Sequence, residues 1–300
     1  MSGPKIAAFE PRFPWFGGDL QTLATRFLPA PAMPGTPVEF AMADGDVLTG
    51  ILDRQGGPLV LVLHGLAGSA RSTYMQRTAL ALRENGFDTL RLDWRGAGQG
   101  RATASYHAGR SADLFEVLAK LADAPIFAIG FSLGANILLK YLGEAAAASR
   151  IQKAVAVSAP IDLTATSARV HARRNRLYHD YLLAGMKATS PYAAARDRSI
   201  ATIRDFDERI VAPNNGFADA ASYYEKCSAR AFMPRIAVPT LLVHAMDDPW
   251  IPGALYRDYP WAENPQLTPL LTAGGGHVGF YERRQRRTRH DRAMLEFFGA

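Results

Sequence analysis

The sequence predicts an α/β fold with a mostly parallel central sheet, flanking helices and a helical cap insertion. Short apolar runs such as "PLVLVLHG" alternate with helix-like segments such as "RSTYMQRTALALREN" over the first half of the chain. This alternation is typical of βαβ units, in which helices join consecutive parallel strands. It stops at about Ile161 and resumes with "PTLLVHAMDD", which indicates an insertion between two parts of one sheet.

Domain boundaries follow from the same pattern in chain order. Residues 1–36 are rich in proline and aromatic residues, show no clear period, and are predicted to form an arm packed on the core. Two strand-like runs around "ADGD" predict a hairpin, because Asp-Gly is a preferred hairpin turn. The α/β core is then expected to cover residues 37–160 and 226–300, and the helical cap insertion residues 161–225.

Composition excludes several classes of protein. The single cysteine, Cys227, allows no intrachain disulfide and fits a reducing compartment. No run of about 18 apolar residues occurs, and the N-terminal stretch lacks the apolar centre of a signal peptide. We therefore expect a cytoplasmic protein without a spanning helix. Nothing in the sequence indicates an oligomeric state.

The formal net charge of +6 arises partly from two arginine-dense segments, "ARVHARRNR" and "ERRQRRTRHDR". Neither segment contains the interleaved aromatic residues of a single-strand nucleic-acid binder. We expect both to form solvated faces of amphipathic helices. The expected partners therefore include no specific nucleic acid, and a membrane surface through weak contact at most.

Ser132 stands where a strand-like run, "APIFAIGF", changes to a helix-like run, "LGANILLKYLGE". Gly130 and Gly134 flank it in the pattern G-x-S-x-G, which forms a tight strand-to-helix turn that holds a serine hydroxyl above the sheet. The turn also presents the first amides of the helix, a positive dipole end suited to an oxyanion. Ser132 is therefore the predicted nucleophile, and the Leu133 amide is one predicted oxyanion donor.

Seven histidines are candidates for the base that a serine nucleophile needs. His277 alone lies in a glycine-rich loop after the last strand, "TAGGGHVGF", at the end of the sheet where such loops gather. His244 lies inside an apolar run and is expected in the core, and His64 fits the loop role described below. Four more histidines are expected at the surface: His107, His171, His179 and His290.

The acid that orients the base should follow a strand between Ser132 and His277. "LLVHAMDDPWIP" offers Asp247 and Asp248 there, and the resulting order Ser, Asp, His is that of α/β-hydrolases. Asp248 is favoured because "PWIP" follows it, as in the α/β-hydrolase pattern of an acid, two residues, an aliphatic residue and a proline. Pro249 also restricts Asp248 to extended backbone geometry. Asp247 remains the alternative.

A second oxyanion donor is expected from the loop after an earlier strand. The loop "LHGLAGSARS" follows the strand "PLVLVL", and the amide of Leu66 is the predicted donor. His64 and Gly65 are then expected to shape this loop without taking part in the chemistry.

With these motifs in place, the sequence resembles the YheT-like esterases, the α/β-hydrolase group that also holds the eukaryotic abhydrolase-domain proteins 1, 2 and 3. The resemblance runs in family order from about Phe9 to Phe280. The matching pieces are "HGLAGS", "WRGAGQG", "GFSLGANILLKYLGE", "VSAPIDL", "RDFDERIVAPNNGF", "YYEKCSA", "HAMDDPWIP" and "GGGHVGF".

The resemblance implies an α/β-hydrolase fold and a triad of Ser132, one aspartate of the "DD" pair, and His277. It also implies hydrolysis of carboxylic esters with short or medium acyl chains, acylglycerols among them, without a cofactor. Two departures are visible. The family more often has "SLGGN" where this chain has Ala135, and eukaryotic members carry an N-terminal membrane anchor that is not expected here.

Other functions are less well supported by the sequence. "LDWRGAGQGR" is glycine-rich but lacks the G-x-G-x-x-G spacing of a dinucleotide site, so a turn and no cofactor are expected. Histidine and cysteine spacing predicts no metal site, and Cys227 lacks the partners of a nucleophile. A thioesterase, amidase or acyltransferase on the same triad remains open, as does a non-catalytic binding protein for a small molecule.

Overall fold

A single sheet organises this protein, whose computed structural model describes residues 4–98, 100, 102–122 and 125–300. Nine strands lie within these residues. They are β1 (Ile6–Ala7), β2 (Thr36–Ala41), β3 (Val47–Asp53), β4 (Leu59–Leu63), β5 (Asp88–Leu92), β6 (Ile126–Phe131), β7 (Ile151–Val157), β8 (Thr240–Ala245) and β9 (Leu267–Thr272).

Helices connect the strands and flank the sheet. In the described residues they are α1 (Gly17–Phe27), α2 (Thr73–Arg83), α3 (Ser111–Lys120), α4 (Leu133–Ala145), α5 (Leu163–Val170), α6 (Arg176–Thr189), α7 (Ile203–Phe206), α8 (Ala212–Asn214), α9 (Ala220–Cys227), α10 (Ala254–Arg257) and α11 (Arg289–Phe298). A π-helical turn, Asp207–Val211, joins α7 to α8.

The strand order is β1-β9-β8-β7-β6-β4-β5-β3-β2. The strands from β4 to β9 pair in parallel, whereas β2 and β3 pair antiparallel as the predicted hairpin. The sheet is therefore mostly parallel, which confirms the predicted fold class. The arm adds a strand that the sequence did not predict: β1 pairs in parallel with β9 and forms one edge of the sheet.

The apolar run that became β4 shows why these strands are buried on both faces. Every residue of "LVLVL" is buried, and successive side chains point to opposite faces of the sheet. Leu61 packs into one core cluster and Val60 into the other. A run without polar alternation is therefore stable only where helices cover both faces, as they do here.

Helices α5 to α9 fill the chain between β7 and β8 and supply most of a third apolar cluster. Leu183, Phe206 and Tyr224 are buried in that cluster. The Asp162 side chain accepts a hydrogen bond from Ala165 N and so caps the first helix of the segment. The extent of a cap domain over residues 161–225 stays a prediction.

The two arginine-dense segments differ from the helical faces predicted for them. The first is divided between the end of α5, a short turn and the start of α6, and the second becomes helical only at Arg289. Glu282 offsets part of the second segment's positive charge, because its buried carboxylate forms ion pairs with both Arg289 and Arg292. None of the helices in the described part of the chain has the length and apolar content needed to cross a bilayer.

The stretch "WRGAGQG" was predicted as a turn after β5. Residues 95–98 form such a turn, while Gln99 and Arg101 lie outside the described residues.

Candidate active site

Ser132 lies at a sharp turn between β6 and α4, with φ +50° and ψ −123°. A non-glycine residue at positive φ costs on the order of 1–3 kcal/mol, so the surrounding structure must impose this geometry. The flanking glycines show how. A Cβ at Gly130 would lie 2.7 Å from Ala135 Cα, and a Cβ at Gly134 would lie 2.3 Å from the His64 carbonyl oxygen. Only glycine fits at either position, because the chain passes too close to its neighbours.

The structure brings Ser132, His277 and Asp248 together. His277 Nε2 lies 2.8 Å from Ser132 Oγ, and His277 Nδ1 lies 2.8 Å from Asp248 Oδ2. A carboxylate only accepts hydrogen bonds, so Nδ1 carries the proton and Nε2 is free to accept from the serine hydroxyl. The histidine is thus held in the tautomer that a general base requires.

Two backbone amides hold the carboxylate of Asp248 in place. Its Oδ1 accepts hydrogen bonds from Trp250 N at 2.8 Å and Ile251 N at 3.1 Å, and its side chain is fully buried. Burial alone would raise the pKa of Asp248, but His277 and the backbone donors outweigh it and hold that pKa below the usual value. The carboxylate is therefore ionised when it meets the imidazole.

The side chain of Asp247 forms a hydrogen bond with a different partner from that of Asp248. Its Oδ1 accepts a hydrogen bond from Gly276 N at 2.8 Å, in the loop just before His277. Burial raises the pKa of Asp247, the reverse of the shift at Asp248. Of the two aspartates that the sequence left as candidates, Asp248 is the one in contact with the imidazole, and Asp247 holds its loop.

The N-terminal arm reaches the site through α1. Thr22 Oγ1 accepts a hydrogen bond from His277 N at 2.8 Å and donates one to Gly18 O at 2.7 Å. Gln21 exchanges two hydrogen bonds with the backbone of Tyr281, at 2.8 and 3.0 Å. The loop that carries the imidazole is therefore held by a segment at the opposite end of the chain.

Sequence reasoning missed this contribution from the arm. A signal for the helix does exist in "GGDLQTLATRF", where Leu20, Leu23, Ala24 and Phe27 are spaced i, i+3, i+4 and i+7. The contact of Thr22 with His277 joins residues 255 positions apart, and no local pattern carries such information.

The two predicted oxyanion donors lie at the same cavity as Ser132. Leu133 opens α4, where backbone amides have no acceptor within the helix. Leu66 lies across from it in the loop after β4. A Cβ at Gly65 would come within 2.9 Å of Ser132 Cβ, so this loop packs directly against the candidate nucleophile.

His64 is buried and helps to hold the loop after β4 through hydrogen bonds of its ring. Its Nδ1 donates to Gly65 O at 2.7 Å, and its Nε2 accepts from Trp94 N at 3.1 Å. Burial lowers the pKa of His64, so the ring stays neutral and keeps both hydrogen bonds.

Two spaces meet at Ser132 and His277. One is a largely apolar cavity of about 110 Å³, here called the smaller cavity, and the other is a cleft of about 760 Å³ between α1 and α6, here called the open cleft. Trp250 borders both, with its ring centred 4.2 Å from the His277 ring. The smaller cavity is lined from the segment between β7 and β8 by Leu163, Thr166, Ser167, Val170, His171, Leu182, Met186, Ile203, Asp207, Val211, Tyr223 and Tyr224.

The prediction that four histidines lie at the surface was wrong for three of them. His107, His179 and His290 are buried and His171 is half-buried. Neighbouring elements cover them, as the rings of Phe131 and Phe280 do for His290. Burial lowers the pKa of His107 to about 3. His244 lies in the core, stacked on Tyr256 at 4.0 Å.

No group of three or more histidine, cysteine, aspartate or glutamate side chains could hold a metal ion within the described residues. Cys227 is buried, and burial raises the pKa of its thiol to about 12. Its thiolate is therefore not available as a nucleophile at neutral pH.

A mostly parallel sheet with a strained serine turn between a strand and a helix defines an α/β-hydrolase. The chain belongs to the α/β-hydrolase family, whose sequence pattern matches residues 58–284, and within that family to the YheT-like esterases. It is 36% identical over 243 residues to the esterase YheT of Escherichia coli, an alignment that covers 75% of this chain and 71% of YheT.

Two more distant similarities agree with this assignment. Monoacylglycerol lipase of Saccharomyces cerevisiae is 28% identical over 263 residues, which cover 80% of this chain and 58% of the lipase. An esterase structure from Pyrococcus furiosus shares the fold with a TM-score of 0.59, at 20% identity and with 93% of this chain and 91% of that one covered. The chain is a carboxylic ester hydrolase, which confirms the enzyme class expected from the sequence.

Proposed function

We propose that the protein is a serine esterase that acts through an acyl-enzyme. The observation that carries the proposal is the continuous hydrogen-bonded chain from Ser132 Oγ through His277 to Asp248, with 2.8 Å at both steps. His277 takes the serine proton as the hydroxyl attacks the ester carbonyl, and Asp248 stabilises the imidazolium that forms. The amides of Leu66 and Leu133 receive the developing oxyanion.

The second half of the reaction reverses these roles. The imidazolium of His277 gives its proton to the departing alcohol, which leaves Ser132 acylated. Water then enters, loses a proton to the same Nε2 and hydrolyses the acyl-enzyme. No cofactor takes part in this proposal.

The smaller cavity supports a preference for small acyl groups. An apolar cavity of about 150 Å³ holds one benzene molecule, and the cavity beside Ser132 measures about 110 Å³. We place the acyl chain there and the alcohol in the open cleft, and we expect short acyl chains to fit best. Yeast monoacylglycerol lipase among the relatives supports acylglycerols as one class of substrate.

The helical segment between β7 and β8 then acts as the cap of this cavity. Val170, Leu182 and Met186 line the cavity that Ser132 and His277 also border. The residues of this cap would set the limit on chain length, while the core supplies the reacting groups.

The test is a series of para-nitrophenyl esters from acetate to dodecanoate, with a thioester and an anilide of the preferred acyl group. We expect kcat/KM to peak at a short chain, ester hydrolysis to exceed thioester and amide hydrolysis, and Ser132→Ala to abolish turnover. A thioester or amide preferred over the ester would reject the esterase assignment.

Two matched variants test the placement of the acyl chain. Val170→Leu adds one methylene inside the smaller cavity, whereas Leu177→Phe enlarges an exposed side chain of the open cleft. We expect Val170→Leu to lower the ratio of hexanoate to acetate turnover and Leu177→Phe to leave that ratio unchanged. The opposite pattern would place the acyl chain in the cleft.

A further inference from the structure

Large apolar side chains are exposed on this protein mainly around the open cleft. Of the eight such side chains in the described residues, six lie on the arm near α1 and on α6; those of α6 line the cleft, whereas those of the arm lie on or beside α1, whose other residues form the opposite wall. These six, here called the rim, are Phe13 (78% exposed), Phe16 (54%), Leu20 (42%), Phe27 (69%), Leu177 (86%) and Tyr181 (61%). Single exposed apolar side chains are ordinary, but a cluster at the mouth of a site marks an interaction surface.

The two walls that carry the rim are joined across the cleft. Asp19 on α1 accepts hydrogen bonds from Arg174 at 2.9 Å and from the Tyr178 hydroxyl at 3.2 Å. These bonds hold the two elements that carry the rim next to each other, and the cleft between them leads to Ser132 and His277.

Positive charge without an acidic partner lies on and beside the same elements. Arg26 and Arg71 line the cleft and Arg173 lies in the short turn before α6; all three are exposed and form no ion pair with any described residue. Arg176 is 84% exposed at its side chain, and its distance to Asp180 is 3.8 Å. Apolar side chains mixed with free cations are the composition of a surface that lies on anionic lipid.

We propose that the rim docks the protein on the surface of an anionic lipid bilayer. The aromatic and leucine side chains insert at the boundary between headgroups and acyl chains, and the arginines contact lipid phosphates. Docking turns the cleft toward the bilayer, so that a lipid ester reaches Ser132 without crossing water. This last step rests on the proposed esterase function, whereas the docking itself does not.

The charge favours lipid over a second copy of the chain as the occupant. Two copies related by a two-fold axis would bring the same unpaired arginines against one another, which is unfavourable. An anionic headgroup layer instead satisfies those arginines while the apolar side chains leave water.

The test is co-sedimentation with vesicles of ether-linked phospholipids, which the enzyme cannot hydrolyse. One set contains phosphatidylcholine alone and the other adds a phosphatidylglycerol analogue. The test variant is Phe16→Ser with Phe27→Gln, because Phe16 is the N-cap residue of α1, where serine is preferred, and glutamine suits the helix end at Phe27. The control variant is Phe115→Gln, an exposed phenylalanine on α3 that borders neither cavity nor cleft.

We expect the wild-type protein to bind the anionic vesicles more tightly than the neutral ones, and high salt to weaken this binding. The double variant should lose about a hundredfold in partition coefficient, since each inserted phenylalanine contributes about tenfold, or about 1.4 kcal/mol. Phe115→Gln should bind as the wild type does. Hydrolysis of a water-soluble acetate ester should be unchanged in both variants.

Absence of binding to both vesicle types would overturn the proposal, as would an equal loss in Phe115→Gln. A wild-type dimer that dissociates in the double variant, without vesicle binding, would assign the rim to self-association. The Ser132→Ala variant separates the two proposals, because it should bind vesicles fully while losing turnover. If it retains turnover, the proposed function fails and docking is judged by the vesicles alone.

Discussion

Asp207 provides a test of how this protein responds to pH. The residue lies in the π-helical turn of the segment between β7 and β8, borders the smaller cavity and is buried. Its Oδ2 accepts a hydrogen bond from the Tyr224 hydroxyl at 2.6 Å. Burial raises the pKa of Asp207 from 3.8 to about 7, and the bond from Tyr224 opposes that rise only in part.

The sign of the pH effect follows from proton binding in the two states. Between the unfolded pKa of 3.8 and the folded pKa of about 7, the native protein holds a proton that the unfolded chain has lost. Stability therefore falls as pH rises through this window. A shift of about three units at 1.36 kcal/mol each corresponds to about 4 kcal/mol in total, of which about 3 kcal/mol falls between about pH 5 and about pH 8.

The perturbation is Asp207→Asn, whose amide oxygen still accepts from Tyr224 but does not titrate. The assay is urea unfolding of both proteins at about pH 5 and about pH 8, compared as the difference between variant and wild type. We expect this difference to move in favour of the variant by about 3 kcal/mol on going to the higher pH. The reasoning is refuted if the difference is the same at both pH values.

Asp205→Asn is the matched control, because Asp205 lies two residues before Asp207 in the stretch "RDFDERIVAP". Asp205 caps α7, and hydrogen bonding with Thr202 holds the pKa of Asp205 below its usual value. This carboxylate is therefore ionised in both states across the window. Its substitution should cost about 1 kcal/mol equally at both pH values.

Two further predictions concern the support of His277. Asp248→Asn should reduce turnover by about 10³ to 10⁴-fold, through loss of the imidazole tautomer and of its charge stabilisation, whereas Asp247→Asn should cost much less. Turnover of both folded variants on one chromogenic ester checks this, and the reverse ranking would transfer the role to Asp247. Thr22→Val should lower kcat by about tenfold with little change in KM, because the loop carrying His277 loses its anchor. Thr25→Val on the same helix is the control, and equal losses of kcat in the two valine variants would show that α1 matters only for stability.

The fold was predictable from the sequence because its strands have distinctive local sequence patterns. The run "LVLVL" of β4 is apolar without alternation, which is typical of a strand in a parallel sheet covered on both faces. The turn at Ser132 was equally readable, since its close contacts exclude any side chain at Gly130 and Gly134. Local sterics and local periodicity thus carry the information.

What could not be predicted depends on contacts between distant parts of the chain. The pairing of β1 with β9 and the anchoring of His277 by Thr22 join the two ends of the sequence. Burial of His290 likewise follows from rings on β6 and in the loop after β9. From sequence alone, a polar residue in an arginine-rich segment is predicted to be exposed, because only the tertiary packing shows what covers it.

The central claim is that Ser132 forms the acyl-enzyme, and covalent labelling tests it most directly. A fluorophosphonate probe should react with the wild-type protein, and mass spectrometry should place the adduct on the peptide that contains "GFSLG". The Ser132→Ala variant should fold and remain unlabelled. Labelling of that variant, or an adduct on any other residue of the wild type, would contradict the account.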